Sequence, residues 1–241
     1  MGSFQMVQKE GLNLNLVVDE NYPGLLKKGA EYRLDDDLKS DFNIEIKLDK
    51  RLVVWGYIDA KRNIKSNQSL KAEGQIKAGY SIDIADGDIE SYETINAGMD
   101  IIASGSVKAS YCIEASGSIK AGKMIKSGWD LKSGIDIESG LSIESGEGIK
   151  AGGSIKATHD IRSDKRIEAG GDIEAGWGIR AVLYISCDGT LSAPYGVFAG
   201  VCTWKEIPTD DNIVETRDRK VICRKLICGE VLYGILEEKE S

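Results

Sequence analysis

From Ile58 to Leu191 the chain repeats an aliphatic residue every six positions. The series Ile58, Ile64, Leu70, Ile76, Ile82 is followed by one extra residue. It resumes at Ile89 and holds register through Ile95, Ile101, Val107, Ile113, Ile119 and on to Ile185 and Leu191, twenty-three members in all. Ala or Ser stands two positions after nearly every member, the exceptions being Ile84 and Cys187. In a unit such as Ser118-Ile119-Lys120-Ala121-Gly122-Lys123, the aliphatic and the small residue share one face of a short strand and the charged residue between them points the other way. Gly follows where the chain must turn, and it tolerates the positive φ angles that a sharp corner can need. A six-residue apolar period fits neither the 3.6-residue helix nor the heptad. A strand of three residues cannot bury its Ile alone, so successive units must stack, which is the logic of a solenoid.

The outward residues indicate how many units make one coil. With three hexads per coil, residues eighteen apart are stacked neighbours about 4.8 Å apart. One outward column then reads Lys120, Glu138, Lys156, Glu174, and another reads Glu114, Lys132, Lys150, Glu168. A corner column, Asp100, Ser118, Asp136, Ser154, Asp172, alternates charged with neutral. The third outward column is less regular: Lys108, Lys126, Glu144, Arg162, Arg180. Opposite charges facing each other across strands stabilise and like charges do the reverse, so three hexads per coil is the favoured register. The expected fold is all-β: a three-sided parallel β-helix of about seven or eight coils, ~35 Å long. Residues 1–57 are read as an N-terminal β cap, 58–193 as the β-helix and 194–241 as a C-terminal β cap or subdomain. Strand patterns in the caps include Leu12-Asn13-Leu14-Asn15-Leu16, Phe42-Asn43-Ile44-Glu45-Ile46, Val197-Phe198-Ala199, Val221-Ile222-Cys223 and Val231-Leu232-Tyr233. Caps are needed because open strand edges would pair with other chains.

The three-hexad coil resembles the left-handed β-helix of hexapeptide-repeat proteins, although there the small residue sits two before the aliphatic rather than two after. The repeat is more similar to a group of bacterial and prophage hypothetical proteins. These carry Asp-Ile-x-Ala-Gly hexads after a lead-in like Tyr32-Arg33-Leu34-Asp35-Asp36-Asp37-Leu38 and end in a Cys-containing strand segment. That resemblance implies a solenoid and a phage or mobile-element origin, and no chemistry.

The net charge of −8 argues against nucleic acid as a direct ligand, because no basic stripe would release counterions. The sequence has no apolar run of membrane-spanning length and no signal peptide. Met6 occupies the position where a myristoylation motif needs Ser or Thr. Five cysteines without disulfide-type spacing fit a reducing cytoplasm.

Candidate chemistry is sparse, and no catalytic, cofactor or metal site is expected. His159 is the only histidine, so a histidine metal cluster is impossible. As hexapeptide acyltransferases use a histidine near a coil junction, His159 carries the one enzymatic alternative. Cys187, Cys202, Cys223 and Cys228 lack the CxxC knuckle of a zinc site and read as buried strand residues. Cys112 reads as packing. Asp35-Asp36-Asp37 and Asp210-Asp211 could hold calcium or imitate phosphates, with a solvated acidic turn the plainer reading, and such acidic caps could join the aromatic edge in binding a partner. The most suggestive residues are those at the variable corner. Three-hexad stacking sets Tyr111 and Trp129 on one edge, flanked by Glu93 and Glu147. It sets Leu141, His159, Trp177 and Tyr195 on another, next to Lys123. Exposed aromatics beside charge are typical of protein contact surfaces. The expectation is a non-enzymatic, cytoplasmic binding protein, specifically a phage or mobile-element inhibitor. It would dock on a host defence or nucleic-acid-handling protein or protein–nucleic-acid complex, without membrane contact. The structural alternative is a homo-oligomeric scaffold, a homodimer in its simplest form.

Overall fold

The computed structural model describes residues 15–200, 213–223, 226–227 and 230–238; beyond Gly200 the only side chain described is Val214. The described residues contain no helix. They wind into a three-sided parallel β-solenoid. The typical hexad forms one three-residue strand, such as Ile119–Ala121, with its first and third residues buried and its middle residue facing out. We number the three faces in chain order. Face 1 carries Ile58, Ile76, Ile95, Ile113, Leu131, Ile149, Ile167 and Ile185. Face 2 carries Ile64, Ile82, Ile101, Ile119, Ile137, Ile155, Ile173 and Leu191. Face 3 carries Leu70, Ile89, Val107, Ile125, Ile143, Ile161, Ile179 and Val197.

Every one of these aliphatics is 0% exposed, so the core is three continuous columns with the Ala/Ser columns beside them. The eighteen-residue register holds from Ile89 onward. The extra residue between Ile82 and Ile89 lengthens one turn, so Ile82 pairs with Ile101 and Leu70 with Ile89. It is absorbed at the corner, where Gly87 has φ 118°, a conformation that favours glycine.

The winding extends past the hexads at both ends. Glu31–Leu34 stacks in parallel on Arg51–Val54, and Leu38–Ser40 on Ile58–Ala60. Residues 31–57 therefore already coil. Partners there are twenty residues apart, as in Leu38 with Ile58 and Ile44 with Ile64. The two additional residues lie between Ile44 and Leu52, so Tyr32, Leu38 and Ile44 keep the spacing of six but fall out of register with the later series, while the stack is preserved. Below them, Leu25–Lys28 folds antiparallel onto Glu31–Leu34 and covers that edge of face 3. At the other end Ile213–Cys223 runs along faces 1 and 2, pairing with Ile185–Cys187 and Leu191–Ala193. Glu230–Glu238 adds a further parallel layer on it. Ten parallel strands follow one another along face 3 from Glu31–Leu34 to Gly196–Ala199, which makes about nine turns and ~43 Å of stack. The strand patterns expected around Ile44, Val197, Val221 and Val231 are present. Residues 12–14 and the acidic loop at 209–212 lie outside the described residues.

The repeat glycines sit at the corners, where their tolerance of positive φ goes unused. Among the described glycines, positive φ occurs at Gly24, Gly29, Gly87, Gly196 and Gly200, none of them in a regular hexad. What the regular corner demands is close approach. A Cβ on Gly140 would lie 2.1 Å from the carbonyl oxygen of Gly122 in the coil below. The equivalent hexad position holds Ser104, Ser116 and Thr158 in other coils.

Candidate functional site

The corners between faces are built by two kinds of hydrogen bond. At the corner joining faces 1 and 2, the column Asp100, Ser118, Asp136, Ser154, Asp172 forms a ladder. Asp100 accepts from the Ser118 amide at 2.8 Å, Asp136 from the Ser154 amide at 2.8 Å and Asp172 from the Thr190 amide at 2.6 Å. Ser154 Oγ in turn accepts from the Asp172 amide at 3.0 Å. The alternation of charged and neutral residues lets every amide find an oxygen without stacking carboxylates on each other.

The second kind comes from the small-residue column. Ser133 Oγ lies 2.6 Å from the Gly117 carbonyl oxygen in the preceding coil and accepts from the Ile135 amide at 3.2 Å. Ser127 and Ser145 both donate to the carbonyl of Trp129, and Ser139 to that of Lys123. These buried hydroxyls pin the backbone of the very corners that carry the aromatic side chains.

The corner joining faces 3 and 1 carries Glu93, Tyr111, Trp129, Glu147 and Lys165, linked along the column by amide-to-carbonyl bonds such as Tyr111 to Glu93 and Trp129 to Tyr111. The rings of Tyr111 and Trp129 meet at 4.6 Å between centroids with a 36° tilt. Trp129 is 54% exposed, and Glu147 is ion-paired to Lys165. The corner joining faces 2 and 3 carries Lys123, Leu141, His159, Trp177 and Tyr195, linked in the same way. His159 stacks on Trp177 at 4.3 Å and 16°, and Tyr195 is 63% exposed. The six residues singled out from the sequence thus fall into two groups, Tyr111 with Trp129 and Leu141 through Tyr195, along opposite borders of face 3. Such ring pairs are worth about 0.5–1.5 kcal/mol beyond their burial, and they hold the rings pointing outward.

Between those borders, face 3 displays Lys71, Glu90, Lys108, Lys126, Glu144, Arg162 and Arg180. Lys126 pairs with Glu144 at 2.9 Å and Arg162 with Asp160 at 2.9 Å. A shallow groove on this face is lined by Lys71, Glu90, Tyr92, Lys108 and Lys126. Tyr92, which the corner pattern did not single out, is 51% exposed and lies under the Lys71 ammonium at 4.6 Å. It stands one residue earlier in its hexad than the other corner aromatics, so a search confined to one hexad position passes it by. Ile102 was also missed. It is 40% exposed at an outward position otherwise held by polar residues, and that departure from pattern was the available signal.

The remaining candidates resolve into structural roles. Cys187 is buried, and burial pushes its thiol up to about 12, so it stays protonated at neutral pH. The side chains of Cys202, Cys223 and Cys228 lie outside those described. Cys112 is half-buried at a corner. Asp35 is ion-paired to Arg33, and the Asp37 carboxylate accepts from the Tyr57 amide at 3.2 Å. No group of three or more potential metal ligands occurs among the described residues, and no described helix is long and apolar enough to cross a membrane.

No protein-family model matches this chain, no curated protein matches its sequence, and no solved structure matches its fold.

Proposed function

We propose that this solenoid is a non-enzymatic binding protein that acts as an inhibitor of the phage or mobile-element type. In this reading it docks the Tyr111–Trp129 edge onto a protein of a host defence or nucleic-acid-handling complex. The observation that carries the reading is that edge itself: two aromatic rings in mutual contact, held outward on a rigid corner and flanked in the same column by Glu93 and Glu147. Trp and Tyr dominate the energetics of protein interfaces. A scaffold whose backbone is already ordered loses little entropy on docking. The hexad resemblance supports the mobile-element origin, and the net charge of −8 supports a basic partner surface of the kind nucleic-acid-handling proteins present.

The test uses tagged wild-type protein and Trp129→Ala as paired baits in bacterial lysate. Bound proteins are identified by mass, and the purified partner is then assayed for activity. The expected result is a nucleic-acid-processing complex whose activity wild type lowers, with binding weakened at least about thirty-fold by Trp129→Ala, the loss of an interface hot spot. A partner that keeps full activity when bound, or that binds Trp129→Ala equally well, overturns the reading.

A further inference from the structure

We infer that face 2 is a self-association surface on which two copies pack about a two-fold axis parallel to the strands, with their long axes antiparallel. The axis passes between the strands Ile137–Ser139 and Ile155–Ala157. The warrant is charge and shape self-complementarity, and it is independent of the function proposed above.

The outward column of face 2 reads Ile102, Lys120, Glu138, Lys156, Glu174, Ser192. Within one chain Lys120 pairs with Glu138 at 3.2 Å and Lys156 with Glu174 at 3.0 Å. An isologous contact sets each residue against its mirror position in the column. Glu138 then faces Lys156 of the second copy, Lys120 faces Glu174, and Ile102 faces Ser192. All four charges meet opposite charges, and the two intrachain pairs join into one network.

The corners bordering this face complement themselves about the same axis. The corner joining faces 1 and 2 reads Met99, Gly117, Ile135, Gly153, Gly171, Gly189. Mirror pairing sets the exposed Met99 against Gly189 and the exposed Ile135 against Gly153. The corner joining faces 2 and 3 reads Gly105, Lys123, Leu141, His159, Trp177, Tyr195. There Leu141 meets His159, Lys123 meets the Trp177 ring, a cation–π arrangement, and the protruding Tyr195 meets Gly105. Large residues fall opposite glycines at three places. A shallow groove along the face, lined by Lys120, Gly122, Glu138, Gly140, Lys156 and Thr158, leaves room for side chains from above.

The register is specific. A slide by one coil sets Glu138 against Glu174 or Lys120 against Lys156. The other faces fail at the same level, because Lys132 would meet Lys150 on face 1 and Lys126 would meet Arg180 on face 3. The pairing uses the Leu141–Tyr195 edge and leaves Tyr111 and Trp129 uncovered for a different partner.

Sedimentation measures the mass of the full chain alone, of Lys156→Glu, of Glu138→Lys, and of an equimolar mixture of the two variants. Both changes lie on an outward surface, and circular dichroism checks that each variant remains folded. Wild type is expected to be a dimer that weakens with salt, and each single variant to weaken association at least about thirty-fold by juxtaposing like charges. The mixture is expected to restore a dimer, because a chain with two lysines at these positions then faces a chain with two glutamates. Trp129→Ala is expected to dimerise like wild type whatever becomes of the function proposed above. A wild type that is monomeric at ~100 μM, or a mixture that stays monomeric, overturns the inference.

Discussion

At the scale of the residue, the repeat is governed by how closely one coil approaches the next. Gly140 has no room for a Cβ because the Gly122 carbonyl stands in its place. Gly140→Ala should therefore lower stability by about 1–3 kcal/mol, the usual cost of forcing volume into a packed site, read as a lower midpoint in thermal or denaturant unfolding. The position of the glycine was legible in the sequence, but its reason was not, since steric approach between coils depends on a backbone path that the period alone does not give. Serine carries a comparable lesson. Ser145 looks interchangeable with Ala in the repeat, yet its hydroxyl bonds the Trp129 carbonyl and the Glu147 amide. Ser145→Ala should cost about 1 kcal/mol and loosen the Trp129 corner, seen as broadened indole resonances. A sharp, unshifted Trp129 signal in that variant would mean the corner holds without the hydroxyl.

At the scale of the strand, three residues suffice because each strand is completed by the ones above and below. Ile137 is fully buried between Ile119 and Ile155, and Ile137→Ala should cost about 2–5 kcal/mol through lost burial and the cavity left behind. The stacked columns were legible because opposite charges recur at eighteen residues, and the pairs Lys120–Glu138, Lys156–Glu174 and Lys150–Glu168 all form. The first coils were not legible. Tyr32, Leu38 and Ile44 keep the spacing of six, but the two extra residues before Leu52 throw them out of register with the later series, although those side chains are buried in the same columns. The outward pairs also give the stack an acid dependence. Burial, the largest single influence on Glu168, pushes its carboxyl up. The Tyr184 hydroxyl with the Lys150 and Arg166 cations outweighs it, and the group ends below 4.5. A carboxylate lowered in this way stabilises the fold fully above 4.5 and loses that contribution as pH falls through the folded-state value. Partial exposure keeps each such group under about 1 kcal/mol. Glu168→Gln should therefore show a shallower fall of the unfolding midpoint than wild type between roughly pH 5 and 3, the window of carboxylate protonation. An unchanged slope would assign that decline to other carboxylates.

At the scale of the whole molecule, the core and the surface obey different periods, and this separates what holds the rod together from what it displays. The core repeats every hexad, so any Ile column can stack on any other. The surface repeats every three hexads, so its columns exist only in one rotational setting. Deleting Ile143–Gly148 exploits the difference. Ile149 would then stack on Ile125, Ile155 on Leu131 and Ile161 on Ile137, leaving every aliphatic matched while the downstream half turns by one face. The junction gains two like-charge contacts, Lys126 with Lys150 and Lys132 with Lys156, and one opposite pair, Glu138 with Arg162. Each is worth some tenths of a kcal/mol, far less than the nearest-neighbour coil contacts that sustain a solenoid. The deletion variant should fold cooperatively, with an unchanged β spectrum and a modestly lower midpoint. It should also be monomeric, because its second face would read Lys120, Glu138, Arg162, Arg180 and mirror pairing would set Lys120 against Arg180. A variant that fails to fold would show that the Asp/Ser ladder at one particular corner, rather than the aliphatic period, decides how coils stack. A variant that folds and still dimerises would place self-association on the half of the rod that the deletion leaves unrotated.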